Sequence, residues 1–141
     1  MTGLWRTWMI LWCWGVALFG AILALGGFPA TSGPAQFLLD TMYTGGAATL
    51  DAPLRFGVGI QGALSIGLAL TIYGAVRAAD LLGPRSRPVW EVTVAALVAW
   101  FVIDSSISIF NGFALNAVSN ALLMAGFLVP VLASGVLRRN T

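Results

Sequence analysis

The chain has 141 residues, with seven arginines, five carboxylates, no lysine and no histidine. Hydrophobic residues make up 59% and charged residues 9%, against about 25% charged in a soluble domain, so the chain reads as an integral membrane protein forming one all-α bundle. The lack of histidine excludes bis-His haem ligation, a Ser-His-Asp triad and the common zinc and di-iron ligand sets, and the lone Cys13 excludes an internal disulfide or a CxxC pair.

A bilayer core of about 30 Å takes about 20 apolar residues per helix. The first segment to qualify runs from Thr7 to Gly27; its apolar run is too long, and Gly26-Gly27-Phe28-Pro29 too poor a cleavage site, for a signal peptide. A connection from Phe28 to Pro53 follows, too long for a hinge. Within it Ser32-Gly33-Pro34 predicts a helix start, with Ser32 as cap, and Pro34 to Tyr43 predicts a short interfacial helix ended by Gly45-Gly46. Asp51 is the expected cap of the second span, Leu54 to Val76. Gly83-Pro84 turns the chain into a third span, Val89 to Phe110, and Asn111-Gly112 into a fourth, Phe113 to Leu137.

The arginines give the four spans a direction. Arg6, Arg77, Arg85, Arg87, Arg138 and Arg139 fall on one side and Arg55 alone on the other, which predicts both termini in the cytoplasm and the long connection outside. A bacterial cytoplasmic membrane is the expected location. Trp5, Trp8, Trp12 and Trp90 stand near the cytoplasmic ends of spans one and three and are expected as interfacial anchors. Trp12, Trp14 and Trp100 reach deeper and suit packing within the fold.

Membrane helices associate through close packing and hydrogen bonds, because lipid is as apolar as leucine. The second span carries Gly59, Ala63, Gly67, Thr71 and Ala75 at four-residue spacing. This smooth stripe is an expected packing face for span one, with its Ala17, Gly20, Ala21 and Ala24, or for a neighbouring protein.

The third and fourth spans hold a polar constellation. Asp104 and Ser108, like Asn116 and Asn120, are i, i+4 pairs on one helix face. Counted from the turn at Asn111-Gly112, Asp104 matches Asn120 in depth and Ser108 matches Asn116. Gln61 lies at a comparable depth, roughly 10 Å inside the boundary at 1.5 Å per residue, and Arg55 is the one cation on that side. A carboxylate at such depth costs about 2.5–3.5 kcal/mol on insertion scales and is ordinarily paired or functional. The expected partners of Asp104 are Asn120, Ser108 and Gln61. Two readings stay open: a hydrogen-bonded clasp between helices, or a small outward chamber roofed by the interfacial helix and holding a ligand's polar head.

The run from Trp100 to Ser105, then Ser108, Asn111-Gly112, Asn116, Asn120 and Pro130, with Leu54-Arg55-Phe56-Gly57 before it, resembles small bacterial four-span membrane proteins of unassigned function. The resemblance covers about Leu54 to Leu137 and implies four spans, with no activity, cofactor or catalytic residue.

Three functions are expected in turn. The first is an accessory subunit of a larger membrane complex, of respiratory or photosynthetic type, packed through small-residue and tryptophan-rich faces against another membrane protein or a second copy. The second is a binder or carrier of an amphipathic molecule (a lipid, quinone or pigment) through Asp104, Ser108, Asn116, Asn120, Gln61 and Arg55. The third is an intramembrane isomerase-type enzyme with Asp104 as acid or base. No catalytic set, metal site or bound cofactor is expected, and seven arginines split across a membrane exclude nucleic acid.

Overall fold

The computed structural model describes residues 3–138, so Arg139 lies outside the described residues. Five α-helices follow one another: α1 Gly3–Leu25, α2 Gly33–Met42, α3 Ala52–Leu82, α4 Arg87–Phe110 and α5 Ala114–Ala133. Single 3₁₀ turns lie at Pro29–Thr31 and Gly83–Arg85, and there is no strand among the described residues. Four helices, α1, α3, α4 and α5, are long and apolar enough to cross a membrane, and the short α2 sits in the connection where the sequence places it.

The boundaries differ from the expected spans for local reasons. At 31 residues and 1.5 Å per residue, α3 is about 46 Å long, well beyond a bilayer core of about 30 Å. Its last two turns hold the helix formers of Arg77-Ala78-Ala79-Asp80-Leu81-Leu82 and continue until Gly83 takes φ +53°. Conversely α5 stops at Ala133, although the hydropathy runs on through Leu137, because Gly135 takes φ +69° and its N–H closes on the Leu132 carbonyl, as a left-handed C-terminal residue does. Asp51 caps α3, its carboxylate accepting from the Leu54 N–H at 2.9 Å. Ser32 occupies the N-cap position of α2 without capping it: its hydroxyl donates backwards to the Pro29 carbonyl.

The bundle consists of two closely packed antiparallel pairs, α1 with α3 and α4 with α5, more loosely joined to each other. Arg6 near the start of α1 meets Asp80 near the end of α3 at 2.6 Å, which places the start of α1 and the α3–α4 turn on one face. On the opposite face Thr44 donates through its backbone N–H and its hydroxyl to the Gly112 carbonyl at 3.0 and 2.9 Å, and Tyr43 stacks on Phe113. The segment after α2 is thereby tied to the α4–α5 turn.

Backbone contact holds the first pair. A Cβ on Gly62 would overlap the backbone nitrogen of Ala24, one on Gly20 would lie 2.8 Å from the Gly62 carbonyl oxygen, and one on Gly59 would lie 3.1 Å from the Cα of Gly27. The contact face of α3 therefore runs through Val58, Gly62, Ala69, Ile72, Val76 and Ala79, all buried. Of the expected stripe, Gly59 lies close against Gly27, just beyond the end of α1, Ala75 is half-buried, and Ala63, Gly67 and Thr71 are exposed. Four residues turn a helix by 400°, so a strict four-residue row drifts about 40° per step around the axis, and the row leaves the contact within two steps.

Two cores result. Met9, Cys13, Val76, Trp90, Leu97, Phe127 and their neighbours fill the half nearer the termini, and Leu23, Ala35, Leu50 and Val58 the half beneath α2. Trp90 is 2% exposed, so it is a core residue and not an interfacial anchor. Trp12 is half-buried, packs on Phe127 at 5.7 Å between ring centroids and donates from Nε1 to the Leu123 carbonyl; it too belongs to the α1–α5 contact. Trp8, 48% exposed, donates from Nε1 to the Gly126 carbonyl at 2.8 Å. The i+4 donor for that carbonyl would be residue 130, a proline without an N–H, and the Trp8 indole takes its place. Large apolar side chains such as Leu11, Leu18, Leu64, Leu122 and Leu132 cover the exterior. This is a multi-pass helical membrane protein.

Candidate functional site

The polar cluster forms where α4 and α5 face each other below their shared turn. Asp104 Oδ1 accepts three hydrogen bonds: from Asn120 Nδ2 at 2.7 Å, Asn116 Nδ2 at 3.0 Å and the Ser108 hydroxyl at 3.2 Å. The remaining amide hydrogens are also used, Asn116 donating to Ser108 Oγ at 2.8 Å and Asn120 to Ser105 Oγ at 3.3 Å. Both amides are oriented by the same logic: a carboxylate oxygen is an acceptor, so each asparagine must turn its NH₂ toward it. Ser105, Ser108 and Asn120 are buried, and Asp104 and Asn116 are half-buried. The depth match across the Asn111-Gly112 turn therefore holds residue for residue, with Ser105 as a member that period counting alone misses. Its signal was weaker: Ser105 lies six residues before Asn111 and Asn120 eight after Gly112, a mismatch of two residues where Asp104 and Asn120 differ by one.

Next to the cluster the two helix pairs separate around a cavity of about 720 Å³. Asp104, Ser108, Asn116 and Asn120 line one part of its wall; Val16, Phe19, Leu68, Leu97 and Trp100 line much of the rest, and Leu38, Leu39 and Met42 of α2 contribute as well. A smaller cavity of about 230 Å³, bounded by Gly15, Met42 and Ser119 among others, reaches Asn116 and Asn120 from the α1–α5 side. The sequence suggests a small polar chamber beneath the interfacial helix; the space found there is larger and mostly apolar, with the polar cluster on one part of its wall. The loop beyond the roof is organised by its own polar side chains: Gln36 Nε2 donates to Asp40 Oδ1 and to the Ala48 carbonyl, and the Ala48 N–H donates to the same carboxylate.

Two expected members stand apart. Gln61 lines the cavity but makes no side-chain hydrogen bond to Asp104; the described hydrogen bonds of that carboxylate all come from α4 and α5. Arg55 is not among the lining residues. Its Nη2 donates to the Leu50 carbonyl at 2.9 Å, and its Nη1 is enclosed without a partner. A guanidinium two turns above Asp104 satisfies itself on nearby backbone more cheaply than by reaching down into apolar surroundings. Among the described residues no group of three or more His, Cys, Asp or Glu side chains is placed to hold a metal ion.

Class and site together define a four-span helical membrane protein with a carboxyl-centred cluster on the wall of an intramembrane cavity. Comparison with protein-family models, with curated proteins and with solved structures gives no match.

Proposed function

We propose that the protein binds a small amphipathic molecule, with the polar end against Asp104, Asn116 and Asn120 and the apolar part along the cavity walls. The carrying observation is the cavity itself. Its volume of about 720 Å³ lies within the range of about 300–1,000 Å³ usual for small-molecule sites, and a few convergent polar groups on a mostly apolar wall are their usual chemistry. A purely structural clasp needs no such space beside it.

The route of access is lateral in this reading. Ile60 and Leu64 of α3 and Ile107 of α4 line the cavity and stay well exposed, which supports an opening between α3 and α4 toward the acyl chains. Membrane-dissolved molecules such as lipids, quinones or pigments suit that route. The five described arginines apart from Arg55 (Arg6, Arg77, Arg85, Arg87 and Arg138) fall in the terminal segments and around the α3–α4 turn, and arginine-rich connections are retained inside. The proposed setting is therefore a bacterial cytoplasmic membrane with both termini inside.

Gly57→Phe tests the cavity without touching the cluster. Gly57 lines the cavity, and a Cβ there meets nothing within 4 Å, so the ring enters open space on a helix that gains from losing a glycine. Retained folding with lost retention of co-purifying amphiphile supports the proposal; unchanged retention overturns it. A second reading, an accessory subunit that packs against another membrane protein, is favoured by the outward face of α3, where Gly67 and Gly74 have open space beside the exposed Ala63 and Thr71. A stoichiometric protein partner in the mild-detergent extract would support it.

A further inference from the structure

We infer that the molecule held in this cavity presents a hydrogen-bond donor bearing positive charge, an amine-headed amphiphile, to Asp104; the inference rests on the ligand-binding reading above and specifies its chemistry. The cluster consumes its own donors. Both amide hydrogens of Asn116 go to Asp104 and Ser108, those of Asn120 go to Asp104 and Ser105, and the Ser108 hydroxyl goes to Asp104.

What the cluster leaves unused is acceptors. Asp104 Oδ2, Asn116 Oδ1 and Asn120 Oδ1 accept none of the described hydrogen bonds, and none is among the enclosed, unpartnered atoms. Since all three residues line the cavity, these oxygens are reached from it. Asn120 is only 4% exposed and lines the cavity, so a molecule bound there that donates to its free carbonyl oxygen gains a hydrogen bond with little competition from water.

Charge points the same way. Asp104 is the only Asp, Glu, Arg or Lys among the described residues that line the cavity, and Arg55, the cation the sequence places on that side, is bound to the Leu50 carbonyl instead. The free donors on the wall, the Gln61 amide, the second amide hydrogen of Asn111 and the Trp100 indole, are neutral. A phosphate or carboxylate head would meet a carboxyl group and carbonyl oxygens with no cation to receive it. An ammonium meets three acceptors, and a cation beside the carboxyl offsets the cost of carrying charge inside a membrane. Trp100, one turn from Asp104 on α4 and also on the cavity wall, adds an aromatic surface of the kind that favours cations.

The test compares hexadecylamine, hexadecanol and hexadecanoate at equal concentration with the full-length protein in a non-ionic detergent, bound probe being counted by native mass spectrometry. Occupancy by the amine is expected to exceed that by the alcohol about tenfold, the factor by which a hydrogen bond to a charged group outweighs a neutral one, and hexadecanoate is expected to stay at background. In Asp104→Asn the preference for amine over alcohol should vanish. The wild-type ranking decides even if that variant does not fold. Carboxylate binding equal to or above amine binding, equal binding of amine and alcohol, or an amine preference that survives Asp104→Asn overturns the inference and leaves the cavity reading intact. Binding of none of the three overturns both.

Discussion

Inside a membrane each backbone carbonyl without a partner costs free energy that water cannot refund, and Pro130 creates one such group at Gly126. The Trp8 indole answers it across helices. Trp8→Phe, which keeps the ring and deletes the donor, is expected to lower stability by about 1 kcal/mol, within the range for interhelical bonds. In a Pro130→Ala background the restored N–H satisfies Gly126, and the same change should cost close to nothing; unfolding in detergent measures both, and equal costs would refute the pairing. At Asp104 the expected loss is larger. Asp104→Ala removes the common acceptor of three donors and leaves polar hydrogens unpaired, at about 1–3 kcal/mol, whereas Asp104→Asn should recover part of that stability. The Asp104 cluster was legible because a three-residue connection, Asn111 to Phe113, fixes the register of the helices it joins. The role of Trp8 was not, because an indole near a helix end suits a headgroup belt as well as a carbonyl, and only the fold brings α5 beside it.

At the scale of elements, α3 carries the organisation. Its glycines divide into those against a neighbour and those in the open, and substitution separates them. Gly62→Leu would force side-chain atoms into the backbone of Ala24, and overpacking of that kind costs about 1–3 kcal/mol or more. Gly67→Leu enters open space and is expected to change stability by no more than about 0.5 kcal/mol, as exposed substitutions do. Thermal unfolding in one detergent compares them, and similar losses would contradict the assigned contact face. The sequence shows that a smooth face exists on this helix. It does not show which one is used, because Gly57, Gly59, Gly62, Gly67 and Gly74 offer several rows, and the choice depends on where Gly20 and Ala24 of α1 dock. The length of α3 was hidden for a different reason: hydropathy reports where the bilayer ends, and a helix ends where its capping residue lies, here at Gly83.

The whole molecule is a pair of antiparallel hairpins leaning together around a space. Four spans, their order and the position of α2 could be read from apolar run lengths, prolines and glycines. The cavity could not, since its volume is set by how far the two pairs stand apart, and no residue pattern encodes that distance. Orientation belongs to this scale too. In a Cys13→Ala background, Arg85→Cys is expected to react with a membrane-impermeant maleimide only after the cells are opened, and Thr44→Cys in intact spheroplasts; the reverse pattern would invert the proposed topology. The claim that the cavity is a binding site is tested most directly by native mass spectrometry of the wild-type protein and Gly57→Phe, each extracted gently from the same membrane. The expected result is a defined small-molecule adduct on the wild type that is absent from the variant. A wild type without any adduct, or the same adduct on both, would contradict it.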